Sequence, residues 1–260
     1  MSLLKFLKKP SRQLLTEAEI AQAYGPHLNL KIASGDDMYT GDLAMYLRVA
    51  YVALRFINLS LAVADRPAPQ RILDFPCGYG RVSRLLKLAF PAAELTAADL
   101  DRSAVDFCAT EFGATPLYSA VDPSEIPLRG RFDLIFCGSL LTHLQAERWA
   151  GFLEFFQAAL NPGGLLVFST HSDLAAEWLI TGYHDYGLPP ASITDLLTQY
   201  QATGFGYVDY APGQNYGISL STAAWVATAA AKVKGWQCVA YFPKIWLGPH
   251  DVWAYLRSPS

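Results

Sequence analysis

Four cysteines are spread through 260 residues, at Cys77, Cys108, Cys137 and Cys238, and no two form a Cys-x-x-Cys pair. That scarcity argues against a disulfide framework and against a cysteine zinc site, and no metal is expected; a reducing, cytoplasmic setting fits it. Charged residues make up only 17% of the chain and the net charge is −3, which leaves no broad basic field for nucleic acid. No run of about 18 uncharged apolar residues occurs, so no integral membrane association is expected. The opening Met1-Ser2-Leu3-Leu4-Lys5-Phe6-Leu7-Lys8-Lys9-Pro10 is basic and apolar. Proline stops it short of a secretory h-region, which predicts a packed terminus, with a membrane-surface turn as the alternative.

What is abundant is apolar surface. Hydrophobic residues are 52% of the chain, enough for one well-buried domain with a modest extension. The chain is organised around Arg71-Ile72-Leu73-Asp74-Phe75-Pro76-Cys77-Gly78-Tyr79-Gly80-Arg81, a short apolar run that ends on a carboxylate and passes into a Gly-x-Gly turn. Apolar residues at 82, 85, 86 and 89 then predict a helix. Strand, tight turn, helix is the first βα unit of an open α/β sheet, where nucleotide-like ligands bind. Glycine lets the backbone approach a ligand, and the helix N-terminus offers free N–H groups.

Before this unit, Thr16-Glu17-Ala18-Glu19 reads as a capping box that opens a helix ending near Gly25-Pro26. A second helix runs from 42 to about 64, with Leu43, Leu47, Ala50, Leu54, Ile57 and Leu61 on one face and Arg48 and Arg55 away from it. After it, strands are expected at 72–74, 94–99, 116–120, 132–137 and 165–169, with helices between them and a hard turn at Asn161-Pro162-Gly163-Gly164. Alternation of this kind implies a parallel sheet covered on both faces. Beyond His171 the rhythm breaks. Residues 178–190 are rich in aromatics, glycine and proline; a helix from 193 to about 202 that Ser192 could cap and a hairpin of 206–210 with 216–220 are expected after them. A helix near 223–233 and two strands, 237–242 and 251–256, close the chain. Their short connection makes them antiparallel, with His250-Asp251 beginning the last strand and read as a turn.

The carboxylates carry most of the functional argument. Asp74 ends the first strand and Asp99 the second, nineteen positions after Gly80; Asp122 follows the third. An acid at the spacing of Asp99 is placed to bind ribose hydroxyls. A single such acid equally caps the next helix; three at successive strand ends are harder to explain that way.

At this point the chain resembles the class I S-adenosylmethionine-dependent methyltransferases. The resemblance rests on the segment from Ile72 to Arg81, on Thr96-Ala97-Ala98-Asp99-Leu100-Asp101, on Phe132-Asp133-Leu134-Ile135-Phe136-Cys137 and on Leu160-Asn161-Pro162-Gly163-Gly164. It implies an α/β, Rossmann-like doubly wound sheet, mostly parallel with an antiparallel C-terminal strand pair. Residues 1–69 would form a helical extension, and 70–260 the main domain with a lid inserted at about 176–222. It further implies S-adenosylmethionine as cofactor and S-adenosylhomocysteine as product. Gly78 and Gly80 would approach the methionine part, Asp99 would hold the ribose, Asp122 would meet adenine, and Cys137 and Gly138 would flank the methionine. Asp74, Pro76, Cys77, Arg81, Leu100 and Pro123 complete the expected cofactor set. One departure stands out: Pro76 occupies the first loop glycine, which fixes φ and removes an N–H.

Two histidines after strand ends, His143 and His171, are candidate bases for an acceptor hydroxyl. Each is also a plausible cleft-wall residue. Tyr39, Trp178, Tyr183, His184, Tyr186 and Tyr216 are candidate acceptor contacts, since aromatic faces with polar tips suit a sugar or an aromatic hydroxyl compound. A small second core is the competing account of the same aromatics. O-methylation of a small molecule or saccharide is the expected activity. A nicotinamide-dependent oxidoreductase is the first alternative, but its third glycine is Ser83 here. A non-catalytic methyltransferase-like binding protein is the second. The sequence does not speak to the oligomeric state.

Overall fold

The computed structural model describes residues 14–258; the basic N-terminal stretch lies outside them. Two helices lead in. In α1 (Glu17–Tyr24) the Thr16 side chain takes the Glu19 N–H while the Glu19 carboxylate takes the Thr16 N–H, so the capping box forms in full. In α2 (Leu43–Val63) the Asp42 carboxylate accepts from Met45 N. Leu47, Ala50, Leu54, Ile57 and Leu61 are buried, and Arg48 and Arg55 are exposed. Length and composition alone would let α2 cross a membrane, but its apolar stripe packs into the sheet core instead.

The sheet is built from β1 (Arg71–Asp74), β2 (Glu94–Asp99), β3 (Thr115–Tyr118), β4 (Phe132–Cys137), β5 (Leu160–His171), β8 (Trp236–Trp246) and β9 (His250–Arg257). Its order is β3-β2-β1-β4-β5-β9-β8. The first five strands run parallel, with Ile72 beside both Leu95 and Leu134; β9 is antiparallel to β5 and to β8. Side chains alternate across the sheet. Ile72, Leu95, Leu134 and Val167 face α1, α2, α3 (Ser83–Ala89) and α4 (Arg102–Phe112). Leu73, Ile135, Leu166 and Phe168 face α5 (Ala146–Ala159) and α8 (Ala223–Ala231). The helices thus cover both faces, as doubly wound folds require.

Between β5 and α8 lie α6 (Asp173–Thr181), α7 (Pro190–Thr203) and a two-stranded antiparallel hairpin, β6 (Phe205–Asp209) with β7 (Gly217–Ser221). Ala175, Ala176, Leu179, Leu196, Tyr200, Ile218 and Leu220 form a small core of their own there.

Several local expectations need correcting. Helix α6, which was not anticipated, takes in the start of the aromatic-rich stretch and reaches Thr181. Helix α7 begins at Pro190, where proline suits a first turn, and no Ser192 cap forms. Asn161-Pro162-Gly163-Gly164 is no separate turn. It lies inside β5 and is absorbed as a register shift opposite Phe132 and Leu134, with Gly163 at φ +76°. Strand β3 stops at Tyr118 and β8 reaches Trp246, leaving only 247–249 as the final connection. His250 and Asp251 begin the last strand, as expected, but as paired strand residues and not as a turn; Asp251 is buried while accepting from Tyr241 Oη at 2.6 Å and Lys244 N at 2.8 Å.

Candidate active site

The C-terminal ends of β1, β2 and β4 meet at one edge of the sheet, and backbone bonds carry their order past the strands. Phe75 N donates to Phe136 O at 2.9 Å, Cys77 N to Ala98 O at 2.8 Å and Ser119 N to Asp99 O at 2.9 Å. The Phe75–Pro76 peptide is cis. Gly78 and Gly80 both take positive φ, +48° and +75°, which side chains other than glycine rarely adopt. Above Gly78 there is open space: a Cβ placed on it would meet nothing within 4 Å. Its N–H donates to Asp99 Oδ2 at 2.8 Å.

Two cavities open over this edge. The smaller, about 210 Å³, is lined by Asp36, Asp74, Pro76, Cys77, Gly78, Arg81 and Gly138, among others. The larger, about 580 Å³, is lined by Pro76, Leu100, Ser119, Val121, Leu140 and Arg148, among others. Pro76, Asp99, Ser139, His143 and Tyr216 border both, so the two meet there. A hollow of about 800 Å³ lies at the opposite edge, by the strand starts at Arg71, Glu94, Thr115 and Phe132, away from all of these groups.

Burial sets the charges. Asp74 is 1% exposed, and desolvation pushes its carboxyl up to about 7, although Ser83 Oγ donates to it at 2.5 Å. Burial also raises Asp99, opposed by N–H donors from Asp101 and Gly78. Arg84 donates to Gly80 O and Asn29 O, beside the Tyr46 ring. Arg81, lining the smaller cavity, lies 5.5 Å from the Tyr46 ring centroid and has no hydrogen-bonded partner among the described residues. The carboxylate nearest in charge, Asp36, already accepts from Tyr46 Oη at 2.5 Å and Met38 N at 3.1 Å.

His143 stands where the cavities meet. Its Nδ1 is 2.7 Å from Gly217 O on β7. A carbonyl only accepts, so Nδ1 carries the proton and Nε2 is left as a lone-pair acceptor. Burial lowers its pKa and keeps the ring neutral. Tyr216 stacks on it at 5.0 Å, and Tyr210 stands 5.9 Å away. Behind it lie His171, fully buried with Nδ1 unpartnered among the described residues, and His250, 4.6 Å from His171 between ring centroids. Desolvation holds His171 well below its ordinary value and His250 down at about 4.

The other expected site residues are placed as follows. Asp122 and Pro123 lie beside a separate shallow hollow, and the Asp122 carboxylate is engaged by Ser124 N and Oγ. The neighbouring Ser119, Ala120 and Val121 line the larger cavity instead. Cys137 is fully buried beneath the edge and lines neither cavity. Tyr39 packs edge-on to Tyr46 at 5.7 Å. Trp178, Tyr183 and His184 pack on one another outside both cavities, and Tyr186 lies 5.4 Å from His171. Asp36, Met38, Ser139, Arg148 and Trp246 line the cavities and were not anticipated.

A family model described as a methyltransferase domain matches residues 47–209. The chain belongs to the class I S-adenosylmethionine-dependent methyltransferase family. Within that family it is similar to a malonyl-[acyl-carrier protein] O-methyltransferase of Anoxybacillus flavithermus, 31% identical over 116 residues, 44% of each chain. It is also similar to a trans-aconitate 2-methyltransferase of Acidovorax ebreus, 29% identical over 129 residues, 50% of this chain and 49% of the relative. The match thus spans about half the length of these curated relatives, or less. A solved S-adenosylmethionine-dependent methyltransferase from Clostridium acetobutylicum shares the fold, with a TM-score of 0.56 and 13% identity over 80% of this chain and 92% of that one.

Proposed function

We propose that this methyltransferase-family chain moves a methyl group from S-adenosylmethionine to an oxygen of a small-molecule or saccharide acceptor. The observation that carries the reading is the junction of the two cavities over Asp99, with open space above Gly78 on one side and Leu100 and Val121 on the other. A nucleoside with an amino-acid tail needs such a divided space, with an acid between its halves. When bound, the cofactor supplies a methyl group already activated on a sulfonium.

The chain's own residues supply the rest. Asp99 is placed to accept from ribose hydroxyls, and Leu100 and Val121 offer apolar contact to a base. Arg81 offers its guanidinium to the carboxylate of the tail. Ser139, His143 and Tyr216 border the place where an acceptor oxygen would stand, and holding it in line supplies much of the rate. His143 Nε2 is the group there able to take a hydroxyl proton. A relative named as a malonyl-[acyl-carrier protein] O-methyltransferase supports transfer to oxygen. A cytoplasmic setting belongs to the same proposal, supported by four unpaired cysteines.

Calorimetric titration with S-adenosylhomocysteine tests the cofactor. Micromolar binding is expected, about 10–100-fold weaker in Asp99→Ala if a charged hydrogen bond is lost, with no heat from NADH. No binding at millimolar concentration sinks the proposal. Binding without turnover of labelled S-adenosylmethionine over a broad acceptor set would favour the non-catalytic reading.

A further inference from the structure

The smaller cavity is walled by two parts of the chain that lie far apart in sequence. The glycine loop supplies Gly78, Tyr79 and Arg81; the segment before α2 supplies Asp36 and Met38. That segment makes two tight turns that share Asp36. Its N–H donates to Ala33 O at 3.2 Å, and Tyr39 N donates to its carbonyl at 3.0 Å. The turns lie directly against the glycine loop, since a Cβ on Gly35 would come within 2.7 Å of Tyr79 Oη. Two side chains fix them there. Arg84, buried on α3, donates from Nε to Gly80 O at 3.2 Å and from Nη1 to Asn29 O at 2.9 Å, so one guanidinium ties the loop to the segment. Tyr46, buried on α2, donates from Oη to Asp36 Oδ2 at 2.5 Å.

This arrangement sets a positive and a negative group on one cavity wall. Arg81 and Asp36 both line the cavity and both lie against Tyr46, and the charge of each acts on the other. A sheltered guanidinium beside a carboxylate commonly closes into a bidentate pair. Among the described residues no ion pair within 4.0 Å joins these two. The carboxylate is held instead by Tyr46 Oη and by Met38 N, 3.1 Å from Oδ1, and each of its oxygens keeps a further lone pair. The guanidinium keeps its donors. Opposite charges held apart in this way suit a ligand that carries both on one carbon, as a free amino acid does. The other carboxyls of the cavity are engaged differently. Asp74 is buried, takes Ser83 Oγ and is raised to about 7. Asp99 takes Gly78 N and Asp101 N and stands at the junction, where the ribose is assigned.

We propose that Asp36 selects the amino-acid tail of the cofactor: its carboxylate takes the tail ammonium while Arg81 takes the tail carboxylate, so the segment before α2 completes the cofactor site. This rests on the cofactor assignment above. A nucleoside thioether that lacks one tail charge leaves its partner on the wall unanswered and binds more weakly.

The test is calorimetric titration of the whole chain with S-adenosylhomocysteine and three truncated thioethers. Adenosylthiobutanoate lacks the ammonium, adenosylthiopropylamine lacks the carboxylate, and methylthioadenosine lacks both. The native chain is expected to bind S-adenosylhomocysteine about 10-fold or more tighter than any of the three. Asp36→Asn should weaken S-adenosylhomocysteine by about 10-fold or more and leave adenosylthiobutanoate within about threefold, because that ligand has no ammonium to lose. Arg81→Gln should mirror this, sparing adenosylthiopropylamine. A turn merely loosened by substitution would weaken all four ligands by similar factors, and that result overturns the proposal. So does equal binding of S-adenosylhomocysteine and adenosylthiobutanoate by the native chain, a comparison that needs no variant to fold. Loss of ammonium discrimination in Asp74→Asn, with none lost in Asp36→Asn, gives the ammonium to Asp74 and equally overturns it. Native binding of none of the four is a different result and removes the cofactor assignment itself.

Discussion

Gly78 and Gly80 lie two positions apart in one loop, yet substitution should affect them in different ways. A Cβ at Gly80 would run into the Phe112 ring and the Cys108 thiol, at a φ of +75°. Gly80→Ala therefore combines left-handed strain with overpacking, about 2–4 kcal/mol of lost stability by urea denaturation. Gly78→Ala meets open space, so it should cost only about 1 kcal/mol of strain, while its methyl group enters the smaller cavity and weakens S-adenosylhomocysteine binding. Equal stability losses at the two positions would contradict this account. Asp74 makes a second residue-scale case. Its carboxyl, buried and raised to about 7, opposes folding once ionised. Asp74→Asn should raise the unfolding midpoint at pH 8 and do so less at pH 5, where the native carboxyl is already neutral.

At the scale of elements, the β6–β7 hairpin is the device that ties the inserted segment to the sheet. Gly217 O holds His143, Ser219 Oγ donates to Leu141 O at 2.9 Å, and Ser221 Oγ reaches His171 O at 3.4 Å. Gly217 itself lies against the Val208 backbone, with no room for a side chain. Gly217→Ala should push β7 off its partner and lower turnover at least tenfold, while S-adenosylhomocysteine affinity falls less; a readout in kcat with unchanged KM for cofactor would check it. This hairpin was legible in the sequence, because its two alternating runs flank Pro212-Gly213. So were β1, β2 and β4, whose apolar runs end on local signals. Helix α6 was not: its buried side is Ala175, Ala176 and Leu179, two small residues and one leucine that leave no clear stripe. The site was legible where it sits on strand ends, as at Gly78 and Asp99. It was hidden where distant segments converge, as with Asp36 before α2 and His250 opening β9.

For the whole molecule, the three buried imidazoles make a joint prediction. His143, His171 and His250 are all held below their ordinary values by desolvation, His250 at about 4. An unfolded chain takes up protons on all three near pH 6.5, so the stability they contribute is present above that pH and is lost as pH falls toward 4. His250 alone accounts for about 3 kcal/mol of it. Asp74 works the other way between 3.8 and about 7, since there the folded chain keeps a proton that the unfolded chain releases. Asp99, also raised by burial, adds to the Asp74 effect, and the three imidazoles set against these two carboxyls leave a net loss on acidification. Urea midpoints at pH 6.5, 5.5 and 4.5 should fall in that order, and a flat series would refute the burial account. The sheet order has a further consequence for the timing of folding. Strand β9 is the last of the described elements, yet it is an inner strand, pairing with β5 on one side and β8 on the other, and Trp246 Nε1 on β8 donates back to Val49 O on α2. A chain still emerging from the ribosome can assemble β1 to β5, but the core over α2 stays open until residues near 257 are released. These long-range pairings bring a large loop-closure cost and make this closure the slow step.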